Sequence, residues 1–190
     1  MYGFGKSPHP PNPLNLSDYS DGVNEIIKFY KMEEVILIGH SFGGRVAILI
    51  ASESSRVGGI ILCDSAGIKP RRKLNYYYKV YKYKLCRALG IRNIKSGSDD
   101  YNKLNGAMKE TFVRVVNQDL TPLLIKITAP TMIIWGDKDM DTPLYMAKKL
   151  HKYINGSQLH ILEGAGHYSY LDNFNQFIGL TRTFIDKIPY

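Results

Sequence analysis

The chain has 190 residues, 44% of them hydrophobic and 22% charged, with 17 glycines and 9 prolines, which fits one globular domain and excludes a collagen-like or low-complexity chain. No apolar run reaches the roughly 18 residues of a membrane span, the first residues lack the apolar stretch of a secretory signal, and Cys63 and Cys86, in no metal or redox spacing, read as reduced thiols of a cytoplasmic protein. The net charge of +8 is local: residues 65–98 hold ten Lys and Arg with no Asp or Glu, which leaves −2 elsewhere and argues against a nucleic-acid binder.

Residues 3–16, rich in Gly, Pro and Asn, read as an exposed loop. Ser17 or Asp18 caps a helix running to about Tyr30, with Val23, Ile26, Ile27 and Tyr30 on one stripe. Val35-Ile-Leu-Ile38, closed by Gly39, predicts a strand buried on both faces of a parallel sheet. Residues 43–52 read as a buried helix and Gly59-Ile-Ile-Leu-Cys63 as a second buried strand. A third strand over Thr131-Met-Ile-Ile-Trp135 follows the stop signal Ala129-Pro130. A helix is expected from Pro143 to about Tyr153, and a fourth strand over Gln158-Leu-His-Ile-Leu162. Phe174, Phe177, Ile178, Thr181, Phe184, Ile185 and Ile188 have the spacing of an amphipathic helix. Alternating strands and helices imply right-handed crossovers and a mostly parallel sheet flanked by helices, an α/β fold.

An excursion over residues 65–121 interrupts the alternation and divides the chain into a core, residues 1–64 and 122–190, and a helical cap or lid. Leu74, Tyr77, Tyr78, Tyr81, Leu85, Ala88 and Leu89 share one helical face, and a second helix is expected over about residues 102–116. The apolar stripe is expected to pack on the core while the lysines face water. Association of residues 69–95 with an anionic membrane surface is the weaker alternative.

The strongest chemical signal is Gly39-His40-Ser41-Phe42-Gly43, followed by Gly44, set between a buried strand and a helix. A serine on a sharp strand-to-helix turn has its hydroxyl pushed clear of the backbone, so Ser41 is the candidate nucleophile. The flanking glycines permit close approach of strand and helix, and the Phe42 N–H at the helix start can point at a developing oxyanion. The bland alternative is that Ser41 is a helix N-cap.

A serine hydroxyl needs a base, and the base needs an orienting carboxylate. Five histidines are available. His9 lies in the first loop, His40 adjoins the serine and is expected to point elsewhere, His151 lies among lysines, and His160 is inside a strand. His167, in Glu163-Gly-Ala-Gly-His167, alone follows a strand's C-terminal end, where open parallel sheets place ligands. Asp137, Asp139 and Asp141 all follow the third strand, and position alone does not choose among them. No Cys/His cluster or phosphate loop occurs, so no metal or cofactor is implied.

From Gly3 to the C-terminus the chain resembles the α/β-hydrolase superfamily. The resemblance rests on Gly3-Phe-Gly-Lys-Ser7, the segment 39–44, Trp135-Gly-Asp-Lys-Asp139 with Pro143, and Gly164-Ala-Gly-His167, in the order Ser, Asp, His. It implies that the acid is Asp139, three residues after Gly136, and that residues 65–121 occupy the cap position. It further implies a capped serine hydrolase acting on an ester, amide or activated carbonyl of a small molecule, similar to esterases, aminopeptidases and carbon–carbon bond hydrolases. Ser at position 41 argues against the dehalogenase and epoxide-hydrolase branches, whose nucleophile is Asp. The tyrosine-rich cap suggests an apolar or aromatic acyl group.

The superfamily usually carries several strands and a His-Gly loop ahead of the Gly-Phe-Gly-Lys-Ser segment, and that part supplies a second oxyanion N–H. The sequence starts inside this segment. A partial, N-terminally truncated α/β-hydrolase fold is therefore expected, with Val35–Ile38 as an open edge prone to self-association. The alternative function is a weakly active or inactive remnant, or a binding module that uses its cap.

Overall fold

The computed structural model describes residues 1–70, 104 and 106–188. Its core is a four-stranded parallel sheet in simple chain order: β1 (Val35–His40), β2 (Val57–Cys63), β3 (Thr131–Gly136) and β4 (Gln158–Leu162). Ile38 pairs with Ile61, Leu62 with Ile133, and Trp135 with Ile161. The helices are α1 (Leu16–Phe29), α2 (Phe42–Glu53), α3 (Gly106–Asn117), α4 (Thr121–Leu124), α5 (Tyr145–Tyr153), α6 (Ser169–Asp172) and α7 (Phe174–Ile185).

The continuous apolar runs of β2 and β3 exist because both of their faces are covered. Ile60, Leu62, Ile133 and Trp135 point into one cluster with Leu16, Tyr19, Ile48, Leu124 and Leu150, from α1, α2, α4 and α5. The alternate residues Ile61, Cys63, Met132 and Ile134 meet Phe184 and Ile188, at the C-terminal end of the chain and packed on the opposite face. Strand alternation thus feeds two cores from one sheet.

Two details depart from the sequence expectation. The apolar run of β1 by itself suggests burial on both faces, but the strand is instead the open edge that was also expected: Ile36 packs beneath α7, but Ile38 is 55% exposed. Its apolar character suits a central strand, while its position here is the sheet's edge. In α1 the N-cap is Asn15 rather than Ser17 or Asp18, and the Asp18 carboxylate accepts from the Asn15 N–H at 2.6 Å. The buried stripe is accordingly Leu16, Tyr19, Ser20 and Ile27, leaving Ile26 and Tyr30 exposed.

The helix expected over residues 74–89, and most of the basic stretch, lie outside the described residues. The second expected helix is α3, which buries Met108, Thr111 and Val115. The excursion closes where it opened, with the Leu120 N–H donating to the Gly67 carbonyl at 3.0 Å. The Arg45 guanidinium of α2, only 4% exposed, donates to the Gln118 and Val116 carbonyls at 2.9 and 3.3 Å, fastening the end of α3 to the core. Among the described residues no helix is long and apolar enough to cross a membrane.

Candidate active site

β1 ends at His40 and α2 starts at Phe42, so the single residue Ser41 makes the turn. Its backbone has φ 50° and ψ −114°, a conformation that costs a non-glycine residue on the order of 1–3 kcal/mol. The surroundings enforce it. The Ser41 N–H donates to the Cys63 carbonyl at 3.2 Å, and the Ser41 carbonyl accepts from Ala66 and Gly44 at 3.0 and 3.1 Å.

The glycines that allow this crossing are Gly39 and Gly44. A Cβ at Gly39 would stand 2.7 Å from the Gly43 carbonyl oxygen, and one at Gly44 would collide with the Ser65 side chain. Gly43, expected to share this role, has open space where its Cβ would be. The close approach is made one residue later, as the first helical turn passes over β2.

Ser41 occupies the N-cap position, yet its side chain makes no capping bond. Instead Ser41 Oγ lies 3.1 Å from His167 Nε2. His167 Nδ1 in turn lies 2.9 Å from Asp139 Oδ2. A carboxylate only accepts, so the Nδ1 position carries the proton and the Nε2 lone pair faces the serine hydroxyl. Of the three aspartates left open by position, Asp139 is the one that bonds the His167 ring. Asp137 instead receives the Gly164 N–H at 2.7 Å, bracing the histidine loop, and Asp141 is exposed.

The loop carrying His167 reaches the serine because Gly136 has no side chain: a Cβ there would strike the Gly166 and Ala165 carbonyls. Lys138 N–H to the Ala165 carbonyl, 2.9 Å, joins the acid and base loops along the same seam.

Asp139 is buried and fully supplied with donors. Its Oδ1 accepts from the Asp141 and Thr142 N–H groups at 2.8 and 2.9 Å, and its Oδ2 from the Thr142 hydroxyl at 2.5 Å. Burial alone would raise its pKa, but the bonds from His167 and Thr142 outweigh this and hold it below the usual carboxylate range. The same Asp139 bond raises the His167 pKa against desolvation, with smaller contributions from the charges of Asp139, Asp141 and Asp64. The side chains of His167 and Asp139 are 14% and 0% exposed, so this pair is shielded from solvent.

His40 does not point elsewhere, as its place beside the serine suggests. Its Nε2 donates to the His167 carbonyl at 2.7 Å, and its ring packs against His167, Tyr168 and Tyr170. His9 and His151 are exposed, and His160 remains in β4. Phe42 stacks on Phe4 with ring centroids 4.9 Å apart and meets the Tyr19 edge at the same distance. This fixes the first turn of α2, whose N–H groups lack intrahelical acceptors.

Thr142 and Asp64 were not singled out from sequence, and Gly136 entered only as a motif residue. Asp64 had one signal, a charged residue directly after an apolar strand. Ligand atoms of Asp139, Asp141 and His167 lie within 4.8 Å of one another, but the first and last are already engaged with each other, so a cation there would compete with that bond.

The profile of the Alpha/beta hydrolase family matches residues 1–178. A protein of Mycobacterium bovis without an assigned function is 25% identical over 98% of this chain, and the chain spans 66% of that relative's length. A proline iminopeptidase of Saccharolobus solfataricus is 24% identical over 99% of the chain and 74% of its own. Among solved structures, an esterase from Exiguobacterium antarcticum superposes with a TM-score of 0.75 at 24% identity, covering 98% of this chain and 79% of the esterase. With a parallel sheet in chain order, a strained serine between strand and helix, and a match over nearly its whole length, the chain belongs to the alpha/beta hydrolase family.

Proposed function

We propose that the chain is a serine hydrolase acting on an ester, amide or activated carbonyl of a small molecule. The observation that carries this reading is the continuous chain from Ser41 Oγ through the His167 ring to Asp139. The hydrolases among its relatives and structural neighbours support the reaction class.

The chemistry follows from the proton positions. His167 Nε2 takes the Ser41 proton as Oγ attacks the substrate carbonyl carbon. The carbonyl π electrons move to oxygen, and the Phe42 N–H at the start of α2 helps hold that oxyanion. The imidazolium is stabilised by Asp139, which stays ionised. As the oxyanion collapses, the bond to the leaving group breaks, and His167 delivers its proton there. Water then attacks the acyl-serine with His167 again as base, releasing the acid and restoring Ser41. No step draws on a metal or cofactor.

The test is covalent labelling with a fluorophosphonate probe. The expected result is one adduct at Ser41, lost in Ser41→Ala and strongly slowed in His167→Ala. A folded chain that takes up no label, or takes it up elsewhere, overturns the reading.

A further inference from the structure

Asp64 is a buried acid that the reaction above does not use. It directly follows β2 with φ 42° and is 0% exposed. Its Oδ1 accepts the Gly136 N–H at 2.8 Å, and its Oδ2 accepts the Ser169 N–H at 3.2 Å and the Ser169 hydroxyl at 2.5 Å. Gly136 lies three residues before Asp139, and Ser169 two residues after His167. The Asp64 carbonyl oxygen also lies 3.0 Å from the hydroxyl of Thr142, the residue that clasps Asp139. One residue at the C-terminal end of β2, just past Cys63, therefore touches the start of the acid loop, the end of the acid loop and the base loop.

We propose that Asp64 is a positioning residue: its ionised carboxylate locks the Asp139 and His167 loops together and adds a second negative charge behind the imidazolium that forms at His167. The inference rests on the serine-hydrolase reading but concerns how that site is held.

The donor set argues for the ionised form. Three N–H and O–H donors converge on two oxygens, an arrangement that supports a carboxylate. No Lys or Arg among the described residues bonds to it. Burial raises its pKa despite those donors, and Asp139 adds to the rise. An internal anion of this kind is retained at a cost, and here it lies where a positive charge would come and go. The groups facing His167 are Asp139 by direct bond, Asp141 and Asp64 by charge, and the His40 and Tyr168 rings by contact. A scaffold role alone would be met by any side chain bonding Gly136 and Ser169. The charge makes the distinguishing difference.

The experiment compares the full chain with Asp64→Asn and Ser169→Ala. The His167 ring is titrated by NMR, and fluorophosphonate labelling rate and thermal midpoint are followed in parallel. Asp64→Asn is expected to lower the His167 pKa by about half a unit or more and to slow labelling by about tenfold or more. Ser169→Ala, which deletes one donor to the carboxylate, is expected to move both readouts in the same direction by less. The proposal is overturned if a folded Asp64→Asn keeps the wild-type His167 titration. It is equally overturned if Asp64→Asn does not fold and Ser169→Ala leaves both readouts unchanged. Wild-type protein that takes no label overturns the hydrolase reading instead, and the His167 titration still decides the role of Asp64.

Discussion

His40 Nε2 stands 2.7 Å from the carbonyl oxygen of His167, so the residue before the serine holds the backbone of the residue that faces it. Because a carbonyl only accepts, Nε2 of the His40 ring carries a proton. The bond ties β1 to the loop after β4 across the width of the sheet. His40→Phe keeps the ring packing with Tyr168 and Tyr170 but deletes the donor. Hydrolysis of p-nitrophenyl acetate is expected to fall about tenfold, from the lost placement of His167. Stability is expected to fall by only about 1 kcal/mol, the worth of one hydrogen bond. Steady-state rates beside urea denaturation would separate the two, and an unchanged rate would remove His40 from the site.

The pH dependence has a definite sign. In the proposed reaction His167 must be neutral to accept the serine proton, and its folded-state pKa is raised above the ordinary 6.5, first by the Asp139 bond. Activity is therefore expected to rise through a midpoint above 6.5. Stability runs the other way for this residue: a raised pKa favours the folded state fully below 6.5, and that contribution fades as pH climbs through the folded value. Asp139, held low, stabilises above its unfolded pKa and loses that contribution as pH falls through its folded value. Asp139→Asn should lower the midpoint of the rate profile and the rate itself. A rate profile with its midpoint below 6.5 in the unaltered chain would contradict this account.

Gly43 and Gly44 are neighbours with opposite expectations. An added methyl at Gly44 collides with Ser65, whereas Gly43 opens on free space within a helix. Gly44→Ala should destabilise by about 1–3 kcal/mol through overpacking. Gly43→Ala should be neutral or gain up to about 1 kcal/mol in helix propensity. Thermal melts of the two variants decide it, and equal midpoints would show that the elbow is less tightly packed than described.

Arg45 is the buried tether of the returning excursion. Desolvation lowers its pKa to about 10, with Asp119 opposing the shift, so it keeps its charge at neutral pH. Arg45→Ala strands the Val116 and Gln118 carbonyls and should cost about 2–4 kcal/mol. Limited proteolysis is expected to open new cuts near residues 116–120 before the core is attacked. Cleavage confined to wild-type sites would argue against the tether.

Much of this was readable from residues because the physics was local. Apolar four-residue runs at Gly59–Cys63 and Thr131–Trp135 announce strands covered on both sides, and they are. His167 was legible as the candidate base because small residues precede it at a strand's end. Val35–Ile38 supported two expectations, a strand covered on both faces and an open edge, and the exposure of Ile38 at the sheet's edge fits the second. The choice among Asp137, Asp139 and Asp141 was not legible from position alone, because it turns on loop curvature set by Gly136 and Thr142. Asp64 stands out in sequence only as a charge after an apolar strand, and only the folded chain shows Gly136 and Ser169, from the acid and base sides, converging on its carboxylate.

The serine and histidine of the site are 126 residues apart, while the histidine and its acid are 28 apart. Each rides on a different strand end, so no local segment can assemble the trio. Strand pairings of such range form late, since chain entropy must be spent before the contacts reward it. During refolding the acid–base pair should come together in the half formed by β3 and β4, and the serine should join only when β1 and β2 dock. Reactivity at Ser41 would then lag behind the recovery of helix and sheet, making the site a clock for the final closure of the sheet.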